Sequence, residues 1–229
     1  MSSSAFSKLN ISPAQLKSLE ALGYKAMTPV QEQSIPLILK GRDAVVRAKT
    51  GSGKTATFGI GLLHKINPRF FGAQALVLCP TRELADQVGA EIRKLASQMP
   101  NIKVVMLCGG KPFGAQRDSL QHGAHVVVGT PGRIHDHLNK GTLKIDQVNT
   151  LVLDEADRML DMGFADTMQA IIAEVPKNRQ TLLFSATYPD NIQRISRSIQ
   201  SNPAMVQVDD DVAHEDGVIE QLFFEIKKH

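Results

Sequence analysis

Apolar residues recur along this chain in two patterns. Short, almost unbroken apolar runs occupy 44–46, 75–79, 104–107, 126–128, 151–153, 181–184 and 204–208. Runs of that length without polar alternation predict strands buried on both faces of a parallel sheet. Elsewhere apolar positions return at helical spacing, predicting helices over 56–66, 82–98, 116–121, 133–139, 164–174 and 191–199. Near the N-terminus, Ser12-Pro13 opens a further helix with a hydroxyl cap and a first-turn proline; Leu16, Leu19 and Leu22 give its stripe and Gly23 ends it. Thr28-Pro29-Val30-Gln31 repeats the start signal, with Gln31 placed to close a capping box. Strands alternating with helices predict an α/β fold, a parallel sheet of about seven strands with helices on both faces.

The pattern changes after residue 208. Residues 209–217 are acidic and aperiodic, like a linker, and 218–228 alternate apolar and polar like a strand without its domain. The chain therefore divides into one domain over 1–208 and, at 209–229, an interdomain linker with the start of a truncated second domain. No internal repeat or low-complexity tract interrupts it.

Composition narrows the class. A hydrophobic fraction of 42% over 229 residues is enough for a sizeable core. A net charge of +3 is mild, so contact with nucleic acid must be local and geometric. Cys79 and Cys108 sit in apolar runs without metal-ligand spacing and read as buried thiols of a reducing compartment. No apolar run reaches the ~18 residues of a membrane span. Met1-Ser2-Ser3-Ser4 does not resemble a signal peptide. The expectation is a cytoplasmic, soluble protein.

The strongest chemical signal is Ala48-Lys49-Thr50-Gly51-Ser52-Gly53-Lys54-Thr55, between an apolar run and a helix. Glycines there turn backbone N–H groups toward an anion, and the helix N-terminus adds partial positive charge. Lys54 would reach the β/γ-phosphates and the Thr55 hydroxyl would hold magnesium. The usual pattern opens with Gly where this chain has Ala48. The run at 151–153 ends in Asp154-Glu155-Ala156-Asp157. Asp154 at a strand end can hold magnesium, and Glu155 can orient or deprotonate a water; an acidic helix start is the plainer reading. Pro80-Thr81-Arg82-Glu83 and Thr130-Pro131-Gly132-Arg133 each offer a hydroxyl, free backbone N–H groups and an arginine. Those are components of a phosphate contact, and equally of ordinary caps. Gly109-Gly110 permits close approach of a polymer backbone. Ser185 and Thr187, in Phe184-Ser185-Ala186-Thr187, are turn hydroxyls that could bond the acidic cluster.

Together, AKTGSGKT, PTRELA, the glycine pair, TPGR, DEAD at 154–157 and SAT at 185–187 resemble, in order, the first RecA-like domain of a DEAD-box ATP-dependent RNA helicase. The segment at 23–31, GYKAMTPVQ, is similar to that family's adenine-recognising motif, and Phe6, 17 residues before Gly23, matches its isolated aromatic. Tyr24 stands where Phe is usual and Met27 where Pro is common. The resemblance implies a P-loop NTPase fold of three layers, with ATP and Mg2+ as ligands. It implies that Gln31 pairs with adenine while capping its helix, and that the Tyr24 ring contacts the base. Phe6, Lys25, Thr28, Ala48, Thr50, Gly51, Ser52 and Gly53 complete the nucleotide set. Lys54 and Thr55 would hold phosphates and metal, Asp154 the metal, and Glu155 the hydrolytic water. Ser185 and Thr187 would couple hydrolysis to RNA separation through Asp157. Pro80, Thr81, Arg82, Gly109, Gly110, Thr130, Pro131, Gly132 and Arg133 would lie on the RNA backbone. The strand ending in Ser185 would sit between the phosphate-loop strand and the Asp154 strand.

LCGGKPFGAQRDSLQH and DEADRMLDMGF are similar to the bacterial DbpA subgroup of that family, which acts on large-subunit ribosomal RNA. The implied function is local, ATP-driven unwinding of RNA duplexes by a monomer, with this chain as its ATP-binding half and a second RecA-like domain required in cis. A nucleotide-switched RNA clamp that does no unwinding is the alternative.

Overall fold

Among the described residues, seven strands lie in one sheet in the order β3-β4-β2-β5-β6-β1-β7, and every pairing is parallel. They are β1 (Ala44–Arg47), β2 (Ala75–Leu78), β3 (Val104–Leu107), β4 (Val126–Gly129), β5 (Thr150–Leu153), β6 (Gln180–Ser185) and β7 (Ala204–Gln207). The computed structural model describes residues 6–208, so the linker and stray strand read at 209–229 lie outside the described residues. Before β1 come α1 (Pro13–Ala21) and α2 (Pro29–Leu39), and between the strands run α3 (Lys54–Lys65), α4 (Arg82–Leu95), α5 (Phe113–Gln121), α6 (Pro131–Asn139), α7 (Ala156–Asp161), α8 (Ala165–Glu174) and α9 (Asp190–Ile199).

Successive strand residues point to opposite faces, and the two cores follow that alternation. Val46, Val77, Val128, Leu182 and Phe184 pack with Leu19 of α1, Ile35 and Ile38 of α2, Phe58 and Leu62 of α3 and Ile92 of α4. Val45, Leu76, Leu78, Val127, Leu151, Leu153 and Leu183 face Ile134 of α6, Met159 of α7, Met168 and Ile171 of α8 and Ile192 of α9. The result is the expected three-layer sandwich. Each fully buried Leu, Ile or Phe contributes on the order of 1.5–3 kcal/mol. Phe58 and Phe184, both without exposed surface, meet edge to face at 5.2 Å under the phosphate loop.

Local signals act as their chemistry dictates. Ser12 and Thr28 both close capping boxes, with Gln15 and Gln31 respectively. Gly23, at φ +77°, ends α1 in a conformation that favours glycine. Several expectations shift, and α6 begins at Pro131 rather than at Arg133 because Pro131 takes the first helical position. Leu22 falls past the last residue of α1 and is 36% exposed, so it leaves the stripe. The helix expected over 82–98 stops at Leu95, because Ala96 already caps it. α3 begins at Lys54, two residues early, since Gly53 in the left-handed region starts the helix directly. α5 begins at Phe113, immediately after Pro112, rather than at Gln116. Pairings β1–β6 and β5–β6 place the Ser185 strand between the phosphate-loop and Asp154 strands.

Candidate active site and nucleic-acid interface

All strands are parallel, so their carboxyl ends share one edge, where ligands bind in open α/β sheets. The loops after β1, β6 and β5 form one half of that edge, and those after β2, β4 and β3 the other.

In the first half, the phosphate loop bends through Gly51 (φ +82°) and Gly53 (φ +90°). Gly53 is required twice over: besides its φ, a Cβ there would stand 2.6 Å from Gln31 Nε2. α2 holds the loop from behind. Thr28 Oγ1 donates to the Ser52 carbonyl at 2.8 Å, and Gln31 Nε2 donates to the Gly53 carbonyl at 3.3 Å. Gln31 Oε1 meanwhile accepts from Thr28 N at 2.9 Å. Gln31 is 2% exposed, so it joins helix cap to phosphate loop before any ligand role. Lys54 is buried and donates from Nζ to the Ala48 carbonyl at 2.9 Å. Ser52 Oγ donates to the Lys49 carbonyl at 2.8 Å. Thr50 and Gly51 are exposed at the loop tip, and Thr55 is half-buried on the first turn of α3.

Phe6 is buried in a short 3-10 turn, its ring edge-on to Tyr24 at 5.6 Å. Tyr24 donates its hydroxyl to Glu91 Oε1 of α4 at 2.7 Å, and burial, reinforced by that carboxylate, pushes the phenol well up. Lys25 is exposed beside it.

Asp154 and Glu155 follow β5. Asp154 is 3% exposed. Burial pushes its carboxyl up to about 6, opposed by the Lys54 ammonium and reinforced by Glu155 and Asp157. Glu155 has φ 51° and ψ 51°, a left-handed conformation uncommon for a glutamate. Such strain persists only where its surroundings impose it, and it clusters at functional sites. Here Glu155 N donates to Asp154 Oδ1 at 3.1 Å, and Arg158 Nη1 clasps Glu155 Oε2 at 3.2 Å. The turn sends Asp157 toward β6, where Thr187 N and Thr187 Oγ1 donate to its Oδ2 at 3.0 and 2.8 Å. Burial would raise Asp157; the Thr187, Ser185 and Arg158 donors outweigh it and hold the carboxyl below its usual range. Ser185 Oγ is buried near enough to contribute, yet makes no hydrogen bond of full geometry.

Among the described residues no group of three or more His, Cys, Asp and Glu could form a metal cage. The fit to magnesium is instead that of a P-loop site: two oxygen donors, the Thr55 hydroxyl and a buried Asp154 carboxylate whose charge a divalent ion would stabilise.

The second half of the edge is more open. Pro80 is buried, and Thr81 caps α4 by accepting from Leu84 N at 3.2 Å. Arg82 is exposed and leans on the next loop: a Cβ on Gly110 (φ +76°) would stand 2.7 Å from Arg82 Nη1. Gly109 and Gly132 face open space. Lys111 Nζ pairs with Asp86 of α4 at 2.9 Å. Thr130 leaves its side chain out of the α6 cap, and Pro131 starts the helix. Arg133 is turned inward: Nη1 donates to the Lys111 carbonyl at 3.0 Å and to Gln116 Oε1 at 3.1 Å. Sequence reasoning missed Glu91, Gln116, His137 and Arg158; only Arg158, three residues from Glu155 on a helix start, had a local signal.

Comparison with known proteins bears on the fold and the family. Residues 28–195 match the family model for DEAD/DEAH box helicases. The chain is 58% identical over 222 residues to the ATP-dependent RNA helicase DbpA of Escherichia coli, covering 96% of this chain and 48% of that protein. It is 48% identical over 203 residues to the ATP-dependent RNA helicase CshA of Listeria monocytogenes, covering 89% and 39%. It thus spans about half the length of the curated relatives it matches. A crystal structure of a DEAD box protein from the hyperthermophile Methanococcus jannaschii superposes with a TM-score of 0.85 at 40% identity, covering 89% of this chain and 55% of that one. The chain belongs to the DEAD/DEAH box helicase family.

Proposed function

We propose that this chain is the ATP-binding half of an RNA-dependent ATPase that couples hydrolysis to local separation of RNA duplexes. The observation that carries the reading is the clamp of Thr28 and Gln31 on the Ser52 and Gly53 carbonyls, which joins the adenine-recognising segment to the phosphate loop as one site. In that site Lys54 and the loop N–H groups bind phosphate, and Gln31 and Tyr24 take the base. Thr55 and Asp154 would hold Mg2+, which neutralises phosphate charge. Glu155, fixed in its left-handed turn by Arg158, orients water and accepts its proton. Asp157 and Thr187 form the link by which the nucleotide site reaches β6.

The exposed groups after β2, β3 and β4 would follow an RNA backbone without reading bases. The subgroup resemblance at 107–122 and 154–164 supports large-subunit ribosomal RNA as the target, and the whole protein is read as a cytoplasmic monomer with its second RecA-like domain in cis. Transition-state arginines from such a domain are worth ~10³–10⁵ in rate. This chain alone should therefore turn over ATP barely, with or without RNA. Calorimetric titration with ADP and GDP in Mg2+ tests the site. ADP should bind at least about tenfold tighter, as expected of a pocket that hydrogen-bonds one base edge; equal affinities would overturn the reading.

A further inference from the structure

Gln116 is a buried polar residue at the centre of a network that the nucleotide site does not use. Its Nε2 donates to the Cys108 carbonyl at 2.7 Å. Its Oε1 accepts from Arg133 Nη1 at 3.1 Å and lies 3.1 Å from His137 Nε2. The amide can be placed only one way round, because an arginine only donates and a carbonyl only accepts. His137 Nε2 therefore carries the ring proton, and Nδ1 faces the Thr142 hydroxyl at 2.8 Å, a hydroxyl that also reaches the His137 carbonyl at 3.1 Å. The neutral ring stacks on Phe113 at 4.0 Å with planes 11° apart. Lys140 Nζ sits 4.2 Å from the centre of the Phe113 ring.

The network holds one segment at both ends. Gln116 fixes the Cys108 carbonyl before Gly109-Gly110, and Arg133 fixes the Lys111 carbonyl after them. Lys111 is tied to Asp86 and Gly110 abuts Arg82, so the same turn is set against α4. Three loops of the carboxyl edge are thereby held as one surface, with Gln116 and His137 buried.

We propose that Gln116, through Arg133 and His137, is the positioning residue that sets the Gly109–Lys111 turn for contact with a phosphodiester backbone. Arg133 then acts on RNA through the Lys111 carbonyl. This rests on the reading of that edge as an RNA track.

The test uses this chain with Gln116→Leu, Gln116→Glu and Arg82→Ala. A labelled oligouridylate of about ten nucleotides, within the usual single-strand site sizes, is titrated by fluorescence anisotropy at low salt. ADP binding and amide exchange are followed in parallel. Gln116→Leu should weaken RNA binding about tenfold, as loss of a well-placed contact does. It should speed exchange at 109–111 and leave ADP affinity and exchange at 50–55 unchanged. Gln116→Glu keeps the acceptor for Arg133 and His137 but loses the donor to Cys108, and should fall between. Full RNA affinity in both Gln116 variants, with Arg82→Ala weakened, would overturn the proposal alone. Full affinity in Arg82→Ala as well would overturn the RNA track beneath it. Equal loss of RNA and ADP binding in both Gln116 variants would show a general structural role and also overturn it.

Discussion

The two halves of the carboxyl edge differ in where their polar groups are spent. After β1, β6 and β5, the polar groups are bonded largely to one another: Lys54 to Ala48, Gln31 to Gly53, Thr187 to Asp157, Arg158 to Glu155. After β2, β4 and β3, the outermost groups stay open, with Arg82 exposed and Gly109 and Gly132 facing space, while the bonding lies one layer down in Gln116, His137 and Arg133. A site for a small polyphosphate gains from a rigid, close-fitting cradle, because preorganised donors lose little on binding. A track for a long backbone gains from an open rim on a rigid support. The same sheet edge supplies both because its loops differ in what lies beneath them.

Substitutions that act on one half and spare the other would sharpen this division. The largest effect is expected from Gly53→Ala, whose Cβ would meet Gln31 at 2.6 Å in a left-handed turn. It should destabilise the fold by about 1–3 kcal/mol and reduce ADP affinity at least about a hundredfold, with RNA affinity intact. Calorimetry and anisotropy on the same protein check both, and a parallel loss of RNA binding would break the division. Gly110→Ala is the mirror experiment, since φ is +76° and Arg82 lies 2.7 Å from the added carbon. RNA affinity should fall roughly three- to tenfold, about 1 kcal/mol, with ADP binding unchanged.

Acid should act on the support of the second half. Burial, with Arg133 adding to it, lowers His137 from 6.5 to about 4. The unfolded chain then binds a proton that the folded chain refuses, so stability is full above pH 6.5 and falls as pH drops toward about 4. Asp154, raised to about 6, acts the opposite way over much of that range, so the measure is the difference in urea unfolding between this chain and His137→Met, which should move against this chain as pH falls from 6.5 toward about 4. The smallest effect belongs to Tyr24→Phe, which removes only the hydroxyl bond to Glu91. A loss of about 0.5–1.5 kcal/mol in unfolding free energy is expected, and no loss would mean that the bond is matched by solvent.

Much of this was legible in the chain. Strands such as 126–128 and 151–153 declare themselves because both faces of a parallel strand are buried. The caps at Thr28 and Thr81 follow from hydroxyls placed before apolar periodicity. α7 was not separable, since it has only 6 residues and starts from a left-handed glutamate that no propensity favours. Family resemblance gave only the place of the Ser185 strand, and the rest of the order was not legible, because apolar runs look alike and carry no neighbour information. Glu91 and His137 were illegible because their partners, Tyr24 and Gln116, lie 67 and 21 residues away in sequence. The double duty of Gln31 was half visible: the cap is local, the bond to Gly53 is not.

The most direct test of one edge with two ligand sites is residue-resolved amide mapping of this chain, titrated separately with ADP·Mg2+ and with single-stranded RNA. The account predicts that ADP perturbs Gln31, the loop 48–55, Asp154 and Glu155, while RNA perturbs 81–82, 109–111 and 130–132. Both ligands acting on the same amides would contradict it.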